Sequence, residues 1–261
     1  MKALFRLLST VLLGLSAYAQ VPAPNSSGVS MGHLHFTSKD RTAQMKFWVD
    51  VMGAKPAKLG SLDVLSIPGA ILIVNQGSPS GGTVGSTVHH IGFTVPDLQA
   101  MLTKVEAAGV AIVSRNDKQA MLQGPDDIRI ELTEDPDSKV PVKNHHIHFY
   151  TADLEATRRW YVETFGAASG KRGRFEAADL PGVNLSFSAA TPAPAGTKGR
   201  SLDHIGFEVK DLEAFTKKLE AGGVKFNVPY RKVPALGIAI AFFTDPWGTY
   251  IELTEGLSQV R

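Results

Sequence analysis

One pattern of apolar and polar residues occurs four times along the chain. In its clearest copy, residues 146–166, apolar and polar side chains first alternate, as in a strand, and then recur at helical spacing. Asp153 stands before the helical stretch, where an N-cap is favoured, and Gly166 follows it, where a left-handed residue is favoured. Each copy therefore predicts a strand that leads into a capped amphipathic helix.

The spacing within the repeat is regular. A strand histidine lies seven residues before a capping aspartate in the pairs His33 and Asp40, His90 and Asp97, His146 and Asp153, and His204 and Asp211. A single sheet cannot cover its own inner face, so we expect the units to pair in sequence order, with one pair per domain. This predicts a flexible lead-in at 20–30, a first domain at 31–135, a linker at 136–143 and a second domain at 144–256.

The composition limits the partners and the kinds of reactive site that the chain can have. With 43% hydrophobic and 20% charged residues, the chain is typical of a soluble globular protein. The basic residues are scattered and no aromatic-basic motif accompanies them, so nucleic acid is not an expected partner. The chain has no cysteine, which excludes disulfides, thiolate ligands and cysteine nucleophiles. Any metal site must use nitrogen and oxygen ligands.

The first nineteen residues differ from the rest. Lys2 and Arg6 form a basic start, residues 7–15 are mostly apolar, and residues 17–19 offer a small-x-small cleavage site. The apolar run is shorter than the roughly 20 residues that span a bilayer, which disfavours a membrane anchor. We expect a signal peptide at 1–19, cleavage after Ala19, and a periplasmic or secreted protein with no membrane segment.

Histidine and glutamate residues recur on the predicted strands. Under pairing in sequence order, the first half supplies His33, His90 and Glu131, and the second supplies His146, His204 and Glu252. Two imidazoles and one carboxylate on one face would hold a divalent metal and leave positions open for substrate. A lone strand histidine is more often a hydrogen-bonded structural residue, but repetition at matching offsets favours a metal.

Further polar residues share the face of the proposed ligands. His35 and His148 each lie two residues beyond a proposed ligand and are candidate acid/base groups, with a structural role as the alternative. Tyr250 lies two residues before Glu252 and is a candidate proton donor. Arg129, at the matching place in the first half, is a candidate for holding a substrate carboxylate or pairing with Glu131. Arg172 is interpreted mainly as a solvated loop charge.

The strand histidines, the capped helices and the closing segment Asp-Pro-Trp-Gly-Thr-Tyr-Ile-Glu-Leu at 245–253 resemble the vicinal oxygen chelate superfamily. That family includes glyoxalase I, extradiol dioxygenases and bleomycin-resistance proteins. The resemblance covers nearly all of 31–256 and implies an α+β fold of tandem paired βαβββ modules that form half-open barrels. It places a divalent metal ion, iron, manganese, zinc or nickel, on the six ligand candidates named above.

Two departures from the family limit the reaction that the resemblance implies. Glyoxalase I uses a fourth protein ligand where this chain has Ile73 or Ser186, which argues against glyoxalase I itself. Extradiol dioxygenases carry an additional active-site histidine, and this chain has none between His148 and His204.

Three functions are therefore compatible with the sequence. The first hypothesis is an exported, metal-dependent enzyme with dioxygenase, lyase or isomerase chemistry on a small molecule with adjacent oxygen atoms. The alternative is a non-catalytic protein of the bleomycin-resistance type that sequesters a small molecule. A third is a domain with structural metals only. A homodimer is possible under each.

Overall fold

The computed structural model describes residues 21–261, so the predicted signal peptide at 1–19 lies outside the described residues. No helix in the described part is long and apolar enough to cross a membrane. Within this part, the four predicted repeats form four βαβββ units.

The first two units contain eight strands. Unit 1 comprises β1 (Val29–Ser38), α1 (Arg41–Lys46) with a following π-helical turn (Phe47–Val51), β2 (Lys55–Leu59), β3 (Leu62–Ile67) and β4 (Ala70–Gln76). Unit 2 comprises β5 (Val88–Val95), α2 (Leu98–Ala107), β6 (Ala111–Arg115), β7 (Gln119–Gln123), a 3-10 turn (Pro125–Asp127) and β8 (Arg129–Glu134).

The last two units repeat this order. Unit 3 comprises β9 (Lys143–Thr151), α3 (Leu154–Phe165), β10 (Ala168–Arg172), β11 (Phe175–Leu180) and β12 (Val183–Ala189). Unit 4 comprises β13 (Leu202–Val209), α4 (Leu212–Ala221), β14 (Phe226–Val233), β15 (Ile238–Thr244), β16 (Tyr250–Glu255) and a 3-10 turn (Leu257–Gln259).

The units combine across the halves of the chain. Sheet 1 has the order β14-β15-β16-β13-β1-β4-β3-β2, so units 1 and 4 form it, and sheet 2 has the order β10-β11-β12-β9-β5-β8-β7-β6, so units 2 and 3 form it. Each is an eight-stranded mixed sheet that does not close on itself, in agreement with the predicted α+β fold of paired βαβββ modules. The prediction that units pair in sequence order is wrong, because β1 hydrogen-bonds to β13 and β5 to β9.

The predicted helix caps are confirmed. The side chains of Asp40, Asp97, Asp153 and Asp211 each accept a hydrogen bond from the backbone N–H three residues later. Gly166 ends α3 at φ 66°, in the left-handed region. In unit 4 the left-handed residue is Gly223, at φ 91°, one position later than the repeat spacing indicates.

The predicted flexible lead-in at 20–30 is docked on unit 3 over most of its described length. The Asn25 side-chain amide donates to the backbone carbonyls of Phe165 and Gly166, each at 3.0 Å. These carbonyls end a helix and lack partners within it, so the asparagine satisfies groups that the sequence pattern leaves open. Residues 29–30 already belong to β1.

One large hydrophobic core joins the helices to both sheets. Trp48, in the π-helical turn, stacks on Phe36 of sheet 1 at 5.2 Å and contacts Phe93 of sheet 2 at 5.7 Å between ring centroids. The buried hydroxyl of Tyr161 in α3 donates to Asp245 of unit 4 at 2.8 Å. Because strand side chains alternate, the histidines next to core residues such as Phe36 face away from this core.

Glu208 is a half-buried acid that holds the C-terminal turn. Its carboxyl accepts hydrogen bonds from the backbone N–H groups of Gly256, at 2.9 Å, and Leu257, at 3.1 Å. Burial raises the pKa of Glu208 to about 7, although these hydrogen bonds lower it. Because the folded-state pKa is raised, the contribution of Glu208 to stability is fully present below about pH 4.5 and is lost as the pH rises through 7.

The unfolding free energy of the unsubstituted protein should fall between pH 5 and pH 8 as Glu208 loses its proton. In Glu208→Gln, which has no proton to lose at this position, we expect this fall to be smaller by up to ~3 kcal/mol. Denaturant unfolding at both pH values measures this difference. Glu220→Gln, on the exposed face of α4, is the matched control. Equal pH dependence in the Glu208 variant and the unsubstituted protein would contradict the assignment.

Candidate metal centres

Histidine and glutamate side chains meet in two clusters, one on each sheet. Centre I consists of His33, His35, His204 and Glu252. Centre II consists of His90, His146 and His148, with Glu131 beside them. The structure thus brings together all six predicted ligands in two sets of three. The predicted grouping by halves is wrong, since His33 joins His204 and Glu252, whereas His90 and Glu131 join His146.

Strand register explains this grouping. On sheet 1, His35 lies opposite His204 and His33 lies opposite Gly206, which is itself the parallel neighbour of Glu252. Sheet 2 repeats the arrangement with His148 opposite His90, His146 opposite Gly92, and Gly92 beside Glu131. The two centres are therefore built on the same strand positions.

Glycine is required opposite the first histidine of each centre. A Cβ atom at Gly206 would lie 2.1 Å from Cε1 of His33, and one at Gly92 would lie 1.9 Å from Cε1 of His146. Both distances are far shorter than any van der Waals contact. The two glycines make room for the imidazole rings themselves.

In centre I, two imidazoles converge on one carboxylate oxygen. Nε2 of His33 and Nε2 of His204 each lie 2.9 Å from Oε2 of Glu252. On the other side of its ring, Nδ1 of His204 lies 2.6 Å from Oδ1 of Asp203. A carboxylate at Nδ1 fixes the ring orientation and leaves Nε2 for a ligand role.

The histidines and carboxylates of centre I stabilise one another's charged forms. Burial alone would raise the pKa of Glu252, but His33 and His204 outweigh it and hold the pKa well below its usual range. Burial lowers the pKa of His204, whereas the hydrogen bonds that it makes to the carboxylates of Asp203 and Glu252 raise it, and the net shift is upward. Glu252 is thus an anion at neutral pH, which is the form that binds a cation.

Centre II has the same ligand types but a more polar surrounding. Nε2 of His90 lies 3.3 Å from Nε2 of His146 and 3.3 Å from Oε2 of Glu131. The other oxygen of Glu131 lies 3.7 Å from Nε2 of His146. That oxygen also accepts hydrogen bonds from Thr133 at 3.1 Å and Gln119 at 3.2 Å.

Arg172 reaches centre II from unit 3. Its Nη1 lies 3.5 Å from Oε1 of Glu131, and its Nε donates to the hydroxyl of Ser186 at 2.8 Å. Burial alone would raise the pKa of Glu131, but His90 and Arg172 lower it to about 2. The prediction that Arg172 is mainly a solvated loop charge is wrong, because the residue lies in β10 with only 16% of its side chain exposed. Arg129 pairs instead with Gln123, at 3.1 Å.

Bulges in the strands bring further polar side chains to the ligands. Register shifts occur next to Asp203, His89 and His145. Nδ1 of His89 lies 2.9 Å from Nδ1 of His90, and Nδ1 of His145 lies 3.0 Å from Nδ1 of His146. Strict alternation would turn these neighbours to the opposite face, and the extra residue of a bulge removes that restriction. In the sequence, Asp203, His89 and His145 are marked only by being polar residues that directly precede ligand histidines.

The predicted acid/base candidates all lie beside a centre. The ring of His35 lies 4.3 Å from that of His204, and the ring of Tyr250 lies 5.6 Å from it. In centre II, Nε2 of His148 lies 2.8 Å from the hydroxyl of Ser188, and its ring lies 4.6 Å from that of His90. His35 and His148 are close enough to the predicted ligands to be ligands themselves.

The residues of both centres fit a divalent cation. The donor atoms of centre I, and those of the three histidines of centre II, lie within 4.8 Å of one another. Neutral imidazoles and a carboxylate are the ligands that zinc, manganese, nickel and ferrous iron accept. Among the described residues, Nδ1 of His33, His35 and His148 are buried without a hydrogen-bond partner. These unsatisfied nitrogens also fit ligation or bound substrate.

The close approach of Gly206 to His33 gives a direct test of the packing. We expect Gly206→Ala to lower the unfolding free energy by about 1–3 kcal/mol, because the methyl group must displace a buried ring. Chemical denaturation measures the change. Gly170→Ala, in β10, is the matched control, since its Cβ would meet only Asp179 at 3.6 Å. Equal losses in both variants would show that His33 is not packed as described.

Solved structures of known proteins share this architecture. The chain is similar to glyoxalase I from Zea mays, with a TM-score of 0.69 and 16% identity over 88% of this chain and 93% of that chain. A mutant of that enzyme matches with a TM-score of 0.72 and 15% identity, covering 88% and 95% of the two chains. A putative dioxygenase from Bacillus subtilis matches with a TM-score of 0.65 and 15% identity over 88% and 87%. Identities this low show likeness of fold alone.

Family membership rests on a separate match. The model of the Glyoxalase/Bleomycin resistance protein/Dioxygenase superfamily matches the chain twice, at residues 30–136 and 143–253. These two ranges together cover most of the chain. They each contain two of the four βαβββ units, in agreement with the fold. The chain therefore belongs to the Glyoxalase/Bleomycin resistance protein/Dioxygenase superfamily.

Proposed function

We propose that the chain is a metal-dependent enzyme that acts on a small molecule with two adjacent oxygen atoms. The observation that carries this proposal is the convergence of two histidines and one glutamate in each centre. His33, His204 and Glu252 would hold one cation, and His90, His146 and Glu131 the other. Three protein ligands leave coordination positions for substrate.

A bound divalent cation would supply Lewis acidity, which stabilises negative charge on substrate oxygens. The positions of Ile73 and Ser186 bear on the type of reaction. Ile73 has no donor atom, and Ser186 is engaged by Arg172 and Asn184 at 2.8 and 2.6 Å. A fourth protein ligand of the glyoxalase I kind is therefore disfavoured, and dioxygenase, isomerase or another lyase chemistry is favoured.

Centre II is the better candidate for turnover because it borders open space. A cavity of about 160 Å³ is lined by Glu131, Gln119 and Met121, among others. A second cavity of about 600 Å³ is lined by residues that include His145 and Arg172. Substrate entering the smaller cavity would meet Glu131 directly, whereas the larger cavity borders the ligand cluster through Arg172 and His145.

Within centre II, individual side chains have separate tasks. Gln119 and Thr133 hold the Glu131 carboxylate in one orientation through hydrogen bonds of 3.2 and 3.1 Å. His148, anchored by Ser188, lies beside His90, where its imidazole would hold or move a substrate proton. At centre I the corresponding candidates are His35 and Tyr250.

Metal content tests the proposal and the grouping of ligands together. We expect two divalent ions per folded chain, measured by elemental analysis after dialysis against zinc or manganese. His33→Ala with His204→Ala should remove one ion, because both residues belong to centre I. His33→Ala with His90→Ala should remove both ions, because these residues belong to different centres.

Circular dichroism checks that each double variant folds. Glu252→Gln and Glu131→Gln are nearly isosteric single variants, each of which removes the carboxylate ligand of one centre. A folded protein that binds no divalent metal would overturn the enzyme proposal. Loss of one ion from the His33 and His90 double variant, with both lost from the His33 and His204 variant, would reject the grouping. Two bound ions without turnover of any small molecule would favour the non-catalytic alternative.

We also propose that the chain is exported. The proposal is supported by the basic, apolar and small-residue segments of residues 1–19. When the full chain is expressed in a bacterium, we expect N-terminal sequencing of the periplasmic protein to begin at Gln20. Lys2→Glu with Arg6→Glu should increase the uncleaved cytoplasmic fraction. Uncleaved protein in the cytoplasm of the unsubstituted strain would contradict export.

A further inference from the structure

The two centres differ in the residues that surround their shared ligand positions. Ile73 is the parallel partner of His35, and Ser186 is the parallel partner of His148, so these two residues are equivalent. Leu59 ends β2 where Arg172 ends β10. Centre I thus has apolar side chains at two places where centre II has polar ones.

The space beneath the centres differs as well. In sheet 1, Leu59 and Ile73 belong to a second hydrophobic cluster that also contains Leu257 and Val260 of the C-terminal segment. That segment is fixed by two backbone hydrogen bonds between Lys58 and Arg261, of 2.7 and 3.1 Å. In sheet 2, the chain after β8 continues into the connection to β9, and the equivalent region is the cavity of about 600 Å³.

Arg172 stands between this cavity and Glu131. The guanidinium is largely buried, with 16% of the side chain exposed, and it lines the cavity. Two of its nitrogens contact Ser186 and Glu131, but Nη2 is buried without a hydrogen-bond partner. A buried guanidinium N–H without an acceptor is unfavourable, and a small rotation of the Arg172 side chain toward an acceptor in the cavity would relieve this.

The charges beside the metal-binding residues also indicate an anionic ligand for centre II. In centre I, Asp203 and Glu252 together would balance a divalent cation. In centre II, Arg172 offsets the charge of Glu131, so a divalent cation there would leave two uncompensated positive charges. Unbalanced charge in a buried site is strongly unfavourable, and an anionic ligand would restore the balance.

We propose that centre II binds a small anion that carries a carboxylate next to a second oxygen atom, and that Arg172 pairs with the carboxylate. The planar guanidinium suits the two oxygens of a carboxylate better than a single neutral carbonyl. The second oxygen would face His90, His146 and Glu131. This inference rests on the proposed function, and it makes Arg172 a specificity-determining residue.

Binding of oxalate tests the inference without an activity assay. Oxalate is titrated by calorimetry into the protein loaded with Mn²⁺ and into the metal-free protein. We expect Arg172→Leu, which introduces the residue found at the equivalent place in centre I, to weaken one oxalate site per chain by at least about tenfold. Lys217→Gln, which removes an exposed positive charge on α4 away from the cavity, should change the affinity by less than about twofold.

Oxamide, the neutral analogue of oxalate, should bind the unsubstituted protein and the Arg172 variant with equal affinity. Arg172→Gln replaces the leucine variant if that protein does not fold. Equal oxalate affinity in the Arg172 variant and the unsubstituted protein would overturn the inference while leaving metal binding intact. If no Mn²⁺ binds, the proposed function fails. In that case, binding of oxalate by the metal-free protein that depends on Arg172 would still support the inference. No such binding by the metal-free protein would overturn the inference as well.

Discussion

The antiparallel pairing of strands from opposite halves of the chain is the constraint on which both centres depend. β1 pairs with β13, and β5 pairs with β9. This register sets His33 against Gly206 and His146 against Gly92, and only glycine leaves space for the imidazole ring at these positions. Nε2 of His33 and Oε2 of Glu252, 219 residues apart in sequence, consequently lie within 2.9 Å. Disruption of either pairing would separate the ligands of a centre without removing any of them.

The same framework carries two chemically different surroundings. In centre I, Asp203 supports His204, and an apolar cluster that includes the C-terminal segment fills the region beneath the ligands. In centre II, Arg172 contacts Glu131, and a cavity occupies the equivalent region. Because the ligand positions are equivalent, these neighbours are what can give the two centres different affinities, ligands or roles. Our proposals assign substrate binding to centre II on this basis.

Much of the local structure could be predicted from the sequence. The four strand-helix repeats, their aspartate caps and the inward face of the histidines follow from periodicity, because alternation and capping depend on neighbouring residues. The pairing of units could not be predicted in this way. A pattern within one unit shows that its sheet needs a partner, but not which of three similar units provides it.

The surroundings of the ligands also escaped prediction, for different physical reasons. Asp203, His89 and His145 reach the ligands through bulges, and a bulge breaks the alternation on which the prediction relied. Arg172 acquires its role only because unit 3 lies beside unit 2, so its contact with Glu131 is a property of the assembled sheet.

Anomalous X-ray diffraction from crystals grown with a divalent metal, recorded at the absorption edge of that metal, would locate the bound ions and identify their ligands. We expect two peaks per chain, one about 2.0–2.2 Å from donor atoms of His33, His204 and Glu252, and one equally close to His90, His146 and Glu131. A metal peak bound jointly by His33 and His90, or a folded protein with no peak at either centre, would contradict the assignment of two separate metal centres.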